Sequence, residues 1–373
     1  MEKLINQEWL NNIENSSKEF ILSLKNQNDY KFNPANKNLT YFGKNLELGF
    51  SCYALKIYYI LGLWDELKNQ DKVNWINYIN SFQVESKKFP NNSYIDKVLL
   101  ENYTSSKYKN ILIDNVKTLL NIFPQFEYEK NKIKMLKAIN ADTKQAISTI
   151  YQVGNENDTK VENTFTESQS VSDYLEQFDW SKPWNAGAQF SSLCVYSTTQ
   201  HFDINEELNS FINNKVDKTT GSYFSETPKS TREIINGAMK VISGLDWIDE
   251  PIHYPEQLID FCINNKPVLE GCDVVDYVYV LFKCSQQTNY KKNEVNKILL
   301  QQLLHIQELY QIHDGGFSYF TNTSQTHYYG AEIIQKTKQS DIHGTLLCLW
   351  AITMITKNIE IDKLDLKWNL IKP

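Results

Sequence analysis

The chain has 373 residues, 41% of them hydrophobic and 22% charged, enough to bury a sizeable core as one large domain or two ordinary ones. Its formal net charge of −7 is spread along the chain without a basic block, which argues against a nucleic-acid partner. No apolar run reaches the roughly 20 residues needed to cross a bilayer. The longest, CYALKIYYILGLW, is interrupted by Lys56, and the first twenty residues have no apolar leader core, so a cytoplasmic location without a membrane span is expected.

Helical periodicity dominates the chain from end to end. Apolar stripes at helical spacing run through LGFSCYALKIYYILGLW (48–64), YKNILIDNVKTLLNIF (108–123) and EKNKIKMLKAINADTKQAISTIYQV (129–153). The stretch 154–170, GNENDTKVENTFTESQS, is too polar to pack and reads as a loop or linker inside one architecture. STRE at 230–233 matches a capping box, with Ser230 capping and Glu233 reaching back, so a helix should follow through REIINGAMKVI. NKILLQQLLHIQELYQ (296–311) and HGTLLCLWAITMITKN (343–358) complete the series. An all-α protein of about twelve to fourteen helices is expected, as a single domain over 1–373.

A turn rich in glycine and aromatic residues recurs ahead of apolar helices. It is visible in TYFGKNLELGF, DWSKPWNAGAQF, TTGSYFSE and HDGGFSYF. Such a repeat suits helical hairpins that close into an α/α ring, with a helical solenoid as the other solution.

The six cysteines, at 52, 194, 262, 272, 284 and 348, form no CxxC pair. Most lie in apolar stretches where a buried thiol is expected, and Cys272 alone has polar company. Against 37 lysines there is one arginine, Arg232, whose planar fork suits a carboxylate or phosphate that lysine would serve less well.

HIQELYQIHDGGFSYF followed by SDIHGTLLCLWAITMI resembles the repeat of protein prenyltransferase β-subunits and squalene-type terpenoid cyclases, over roughly residues 180–356. The resemblance implies a six-hairpin α/α toroid with its active site at one end of a central cavity. It also implies two residue sets. EGC (270–272) and DIH (341–343) are similar to the prenyltransferase zinc site, so Glu270, Cys272 and His343 become a candidate metal set and Asp341 a candidate catalytic neighbour. Glutamate stands there where the family has aspartate, and the histidine comes one residue early. DVVD places Asp273 and Asp276 on one helical face, similar to the aspartate-rich motif whose carboxylic acid protonates an alkene in class II cyclases. Aspartates at a helix start also complement the helix dipole.

The remaining candidates concern substrate binding. Trp180 and Trp184, with Tyr279, offer aromatic walls for isoprenoid cations or sugar faces. His327, Tyr328 and Tyr329 form a cluster of the kind that abstracts protons in polysaccharide lyases and epimerases, many of which also use α/α barrels. Arg232 would anchor a uronate or sulfate there. The expected function is therefore an isoprenoid-handling enzyme, cyclase-like or prenyltransferase-like. The alternatives are a carbohydrate-active lyase, epimerase or hydrolase, and a non-catalytic binding toroid. The substrate is a small molecule or an oligosaccharide.

Overall fold

The computed structural model describes residues 7–26, 29–86, 89–104, 114, 117, 130–162, 170–228, 230–266, 270–359 and 367–373. Helices dominate them, as the periodicity requires, and strands are limited to two-residue pairs. The helix expected over 108–123 lies almost wholly outside the described residues, as does 163–169 of the polar stretch; residues 154–162 are non-helical.

Six long helices carry the architecture: α1 (Leu48–Ile60), α2 (Asn131–Gln152), α3 (Pro183–Gln200), α4 (Thr231–Trp247), α5 (Cys272–Ser285) and α6 (Ile342–Ile359). Each packs on the next in chain order, and α6 returns to pack on α1. Further helices lie against them: Asn69–Asn80 on α1, Asn205–Asn213 on α3, Pro255–Asn264 on α5, and Lys292–Leu309 on both α5 and α6. α1 and α6 carry the most apolar sequence, and nearly all of each is buried. α6 is long and apolar enough to cross a bilayer, and its burial among the other helices accounts for that composition.

The recurring turn has a definite geometry. Backbone bridges pair Lys25 with Phe32, Val216 with Tyr223 and Tyr310 with Phe317. In each case the amide one residue past the pair donates to the carbonyl one residue before it: Asn33 N–H to Leu24 C=O (2.9 Å), Phe224 to Lys215 (2.8 Å) and Ser318 to Leu309 (2.9 Å). Two of these hairpins keep a left-handed glycine at the same place, Gly221 (φ +73°) and Gly315 (φ +81°). They follow the helices Asn205–Asn213 and Lys292–Leu309 and lead towards α4 and α6, so TTGSYFSE and HDGGFSYF are one structural unit used again. Of the four turns read in the sequence, TYFGKNLELGF and DWSKPWNAGAQF run into helices and do not form this hairpin. The copy at 24–33 escaped that reading because it has no glycine, although Phe32 stands where Tyr223 and Phe317 do.

Ser230 caps α4 as expected, accepting from Glu233 N–H at 3.2 Å. The reciprocal half of the capping box is not used. The Glu233 carboxylate instead accepts from Trp184 N–H (3.0 Å), which ties the start of α3 to the start of α4. A partner helix offered an unsatisfied terminal amide, and Glu233 serves that one rather than its own cap.

Residues 367–373 lace together the carboxyl ends of α1, α2 and α4. Asn369 N–H donates to Ile60 C=O (2.8 Å), Lys372 N–H to Gln152 Oε1 (2.7 Å), and Trp247 Nε1–H to Pro373 C=O (2.9 Å).

Candidate functional site

All six helices contribute side chains to one cavity of about 810 Å³, with Ile371 and Pro373 in its lining. Its two sides differ. The α4–α6 side is largely apolar, with Met239, Val275, Leu346, Leu347 and Trp350. The α2–α3 side is polar, with Asn140, Lys144, Gln145, Asn185, Gln189 and Ser192. Tyr53 and Lys56 enter from α1, Lys240 from α4, Cys272 and Asp276 from α5, and His343 from α6. This volume, with an apolar wall facing convergent polar groups, is what a ligand-binding cavity requires.

Asp276 is 1% exposed and one of its carboxylate oxygens has no hydrogen-bond partner. Burial pushes its pKa up to about 6, opposed by the charge of Lys240 and assisted by that of Asp273. His343 stacks flat on Tyr53, ring centroids 4.6 Å apart, with Tyr319 on another side at 5.0 Å. Its Nδ1 is buried without a partner. Burial, with the charges of Lys240 and Lys56, brings its pKa down to about 3, so the ring is neutral at physiological pH. Cys272 Sγ lies 3.0 Å from the Tyr319 hydroxyl, and burial pushes the thiol up to about 11, which keeps it protonated.

Asp273, three residues before Asp276, has a different job. It accepts from Arg232 Nε–H at 2.6 Å and from Asn236 Nδ2–H at 2.8 Å, which pins α5 to α4. Arg232 also lies over the Trp184 ring, 4.9 Å from its centroid. Neither Asp273 nor Arg232 lines the cavity; the guanidinium meets the Asp273 carboxylate through Nε, with the side chain 55% exposed. Asp341 starts α6: its side chain accepts from Gly344 N–H (2.7 Å), Tyr319 N–H (2.8 Å) and Gln325 N–H (3.0 Å), a structural cap away from the cavity lining.

Trp180 is buried, donates to Leu175 C=O (2.9 Å) and packs on Phe211. Tyr279 faces a second cavity, of about 350 Å³, where it meets Asp246 and Trp350. His327 is exposed, and its Nδ1 pairs with the Thr326 hydroxyl at 3.0 Å. Tyr328 is buried and bonds Asp142. Tyr329 lines the 810 Å³ cavity from a left-handed position, φ +44°. Of the expected site residues, the fold brings Asp276, His343, Cys272 and Tyr329 to one place and leaves the others to structural work or elsewhere.

Glu270, the third member of the expected zinc set, is exposed, whereas Cys272 and His343 line the cavity. Among the described residues no three His, Cys, Asp or Glu side chains are grouped to hold a metal ion. The set does not fit zinc, and no chemistry below depends on a metal.

The lysines were not foreseen. Lys56 was legible as the one charge in an apolar run, a signal that the helix buries a polar group for a reason. Lys144 and Lys240 are indistinguishable in sequence from the other lysines, because nothing local says which side of a helix faces a cavity.

Asp142, beside the cavity on α2, is 2% exposed and accepts from the Tyr328 hydroxyl. Burial is the main force raising its pKa to about 8. An aspartate whose folded pKa lies above its unfolded value binds more protons folded than unfolded, so stability falls as pH rises from about 4 to about 8. Asp142→Asn is expected to flatten that decline, with a melting temperature gain at pH 8 and little change at pH 4, read by thermal denaturation across pH.

Comparison with known proteins finds no match to this chain among family models, curated proteins or solved structures.

Proposed function

We propose that the chain is an α/α toroid of the kind seen in terpenoid cyclases and prenyltransferases, and that it is an enzyme acting on an isoprenoid-type hydrocarbon in the central cavity. The ring reading is supported by the cyclic order of the six helices, α6 packing back on α1, and by the thrice-used hairpin. The chemical reading rests on Asp276, whose buried carboxylate oxygen has no protein partner and whose residue lines the cavity with Val275, Met239 and Leu346.

Asp276 in its protonated form donates to one carbon of an alkene, and the π electron pair forms the new C–H bond. The positive charge left on the other carbon lies among the electron-rich faces of Tyr53 and Trp350. Loss of a proton from a neighbouring carbon to the Asp276 carboxylate restores the enzyme and yields an isomer or a cyclised product. The cycle balances without a redox partner or a second substrate.

A carbohydrate reading draws on the amides of Asn140, Gln145, Asn185 and Gln189, which suit hydroxyl groups. It loses the residues first named for it, since Arg232 binds Asp273 and His327 lies outside the cavity lining. Incubation with polyprenols, polyprenyl diphosphates and uronate or sulfated oligosaccharides, with products read by mass spectrometry, separates these readings. Rearranged isoprenoid supports the proposal. Unsaturated or epimerised sugar overturns it, and binding of a substrate without turnover overturns it in favour of a non-catalytic binding toroid.

A further inference from the structure

Lys56, Lys144 and Lys240 reach the same cavity from three different helices. Lys56 is 6% exposed, and its Nζ meets only the Ser148 hydroxyl at 3.3 Å. Lys144 Nζ donates to Ser191 Oγ (2.8 Å), which shares a hydrogen bond with Ser243 (2.9 Å). None of the three is in an ion pair among the described residues, and Asp276 is the one carboxylate in the lining. Lys56 is buried and Lys144 and Lys240 are half-buried, and with the exposed Lys134 and Lys137 of α2 five lysines share the lining with one carboxylate. Such an excess of positive charge, part of it withdrawn from water, is costly to a fold and persists where a ligand supplies the counter-charge.

We infer that Lys56, Lys144 and Lys240 seat a phosphate-type oxyanion, delivered as the head group of the hydrocarbon substrate. The source of the anion rests on the isoprenoid reading; the seat itself does not. A cation developing beside three ammonium groups would be repelled, and an oxyanion on the lysines removes that repulsion. The same anion masks the charge of Lys240, which otherwise drains the proton from Asp276. Head-group binding and acid chemistry are thereby coupled across the cavity.

The surroundings of Lys144 set how the seat responds to pH. Lys56 from α1, Cys194 from α3 and Lys240 from α4 act on it electrostatically, with Asp276 from α5 and His343 from α6 in the same lining. Burial first, then Lys240 and Lys56, lowers Lys144 to about 7, and burial lowers Lys56 to about 8. An arriving anion draws protons onto these amines, so affinity falls as pH rises through 7 and 8.

The test is calorimetric titration of the full chain with inorganic pyrophosphate, then with a prenyl diphosphate and the matching prenyl alcohol. Saturable pyrophosphate binding is expected, weakened about tenfold or more by Lys240→Met and by Lys144→Met. The exposed control Lys218→Met should leave it unchanged. Lys240→Arg, which keeps the charge, guards against a folding defect by retaining affinity. Tighter binding of the prenyl diphosphate than of pyrophosphate supports the head-group source, and equal binding overturns that source in favour of a free anion. No pyrophosphate binding, or binding indifferent to both methionine variants, overturns the seat. If the lysine variants abolish pyrophosphate binding but no isoprenoid is ever turned over, the seat stands and the isoprenoid reading falls. If prenyl alcohols react as well as diphosphates and pyrophosphate does not compete, the seat falls and the isoprenoid reading stands.

Discussion

Asp276→Asn is expected to lower isoprenoid turnover by about a thousandfold, the scale of a lost general acid, while the protein stays folded and no less stable. Asparagine keeps the shape and removes the one carboxylic acid in the lining. The stability half of the expectation follows from burial. Asp276 titrates at about 6 in the folded chain, above its unfolded value, so ionising it costs stability progressively as pH rises towards 6 and fully above. Removing the charge therefore returns up to ~3 kcal/mol at neutral pH. A variant that loses turnover and melts no lower than wild type separates a chemical role from a structural one. Wild-type turnover should fall as pH rises above about 6, because the protonated form is the active one; a flat profile, or full activity in the variant, would remove Asp276 from the chemistry. Asp273→Asn gives the contrasting result, since its carboxylate binds Arg232 and Asn236: loss of stability at neutral pH, with activity falling only as far as the helix junction loosens.

Gly315→Ala is expected to destabilise the fold by about 3 kcal/mol or more, enough to lower the melting temperature by several degrees. Two costs add at this position. The backbone sits at φ +81°, where a side chain is strained, and a Cβ there would stand 2.7 Å from the Ser16 backbone oxygen. That oxygen belongs to the helix Gln7–Leu24 and cannot rotate away as a side-chain tip would. Thermal denaturation of the variant checks this, and a change within a degree of wild type would show that the hairpin shifts freely on the first helix.

Asp276 and the Gly315 hairpin are written in the sequence in different ways. The hairpin at HDGGFSYF was legible because a left-handed turn residue leaves a local mark, glycine, and because the mark is repeated at TTGSYFSE. The helices were legible for the same reason of locality: their apolar spacing depends on residues three and four positions away. Asp276 and His343 were reached through the resemblance of short motifs, and the fold does bring them to one cavity. Asp273 and Asp341 came from the same motifs and turned out to cap or brace helices. Nothing in DVVD distinguishes a carboxylate that meets Arg232 from one that meets the cavity, since the two face different neighbours only after α4 and α5 have packed.

The amino-acid sequence by itself therefore determined a helical chain, the two hairpin turns that carry glycine and the burial of its most apolar helices, all properties fixed by near neighbours along the chain. The tertiary structure decided which charges are alone. Lys56, Lys144 and Lys240 lie far apart in sequence, and only the packing of α1, α2 and α4 puts them around one space without a matching set of carboxylates. Electrostatic need is a property of distance in space, and the linear order of residues carries no record of it.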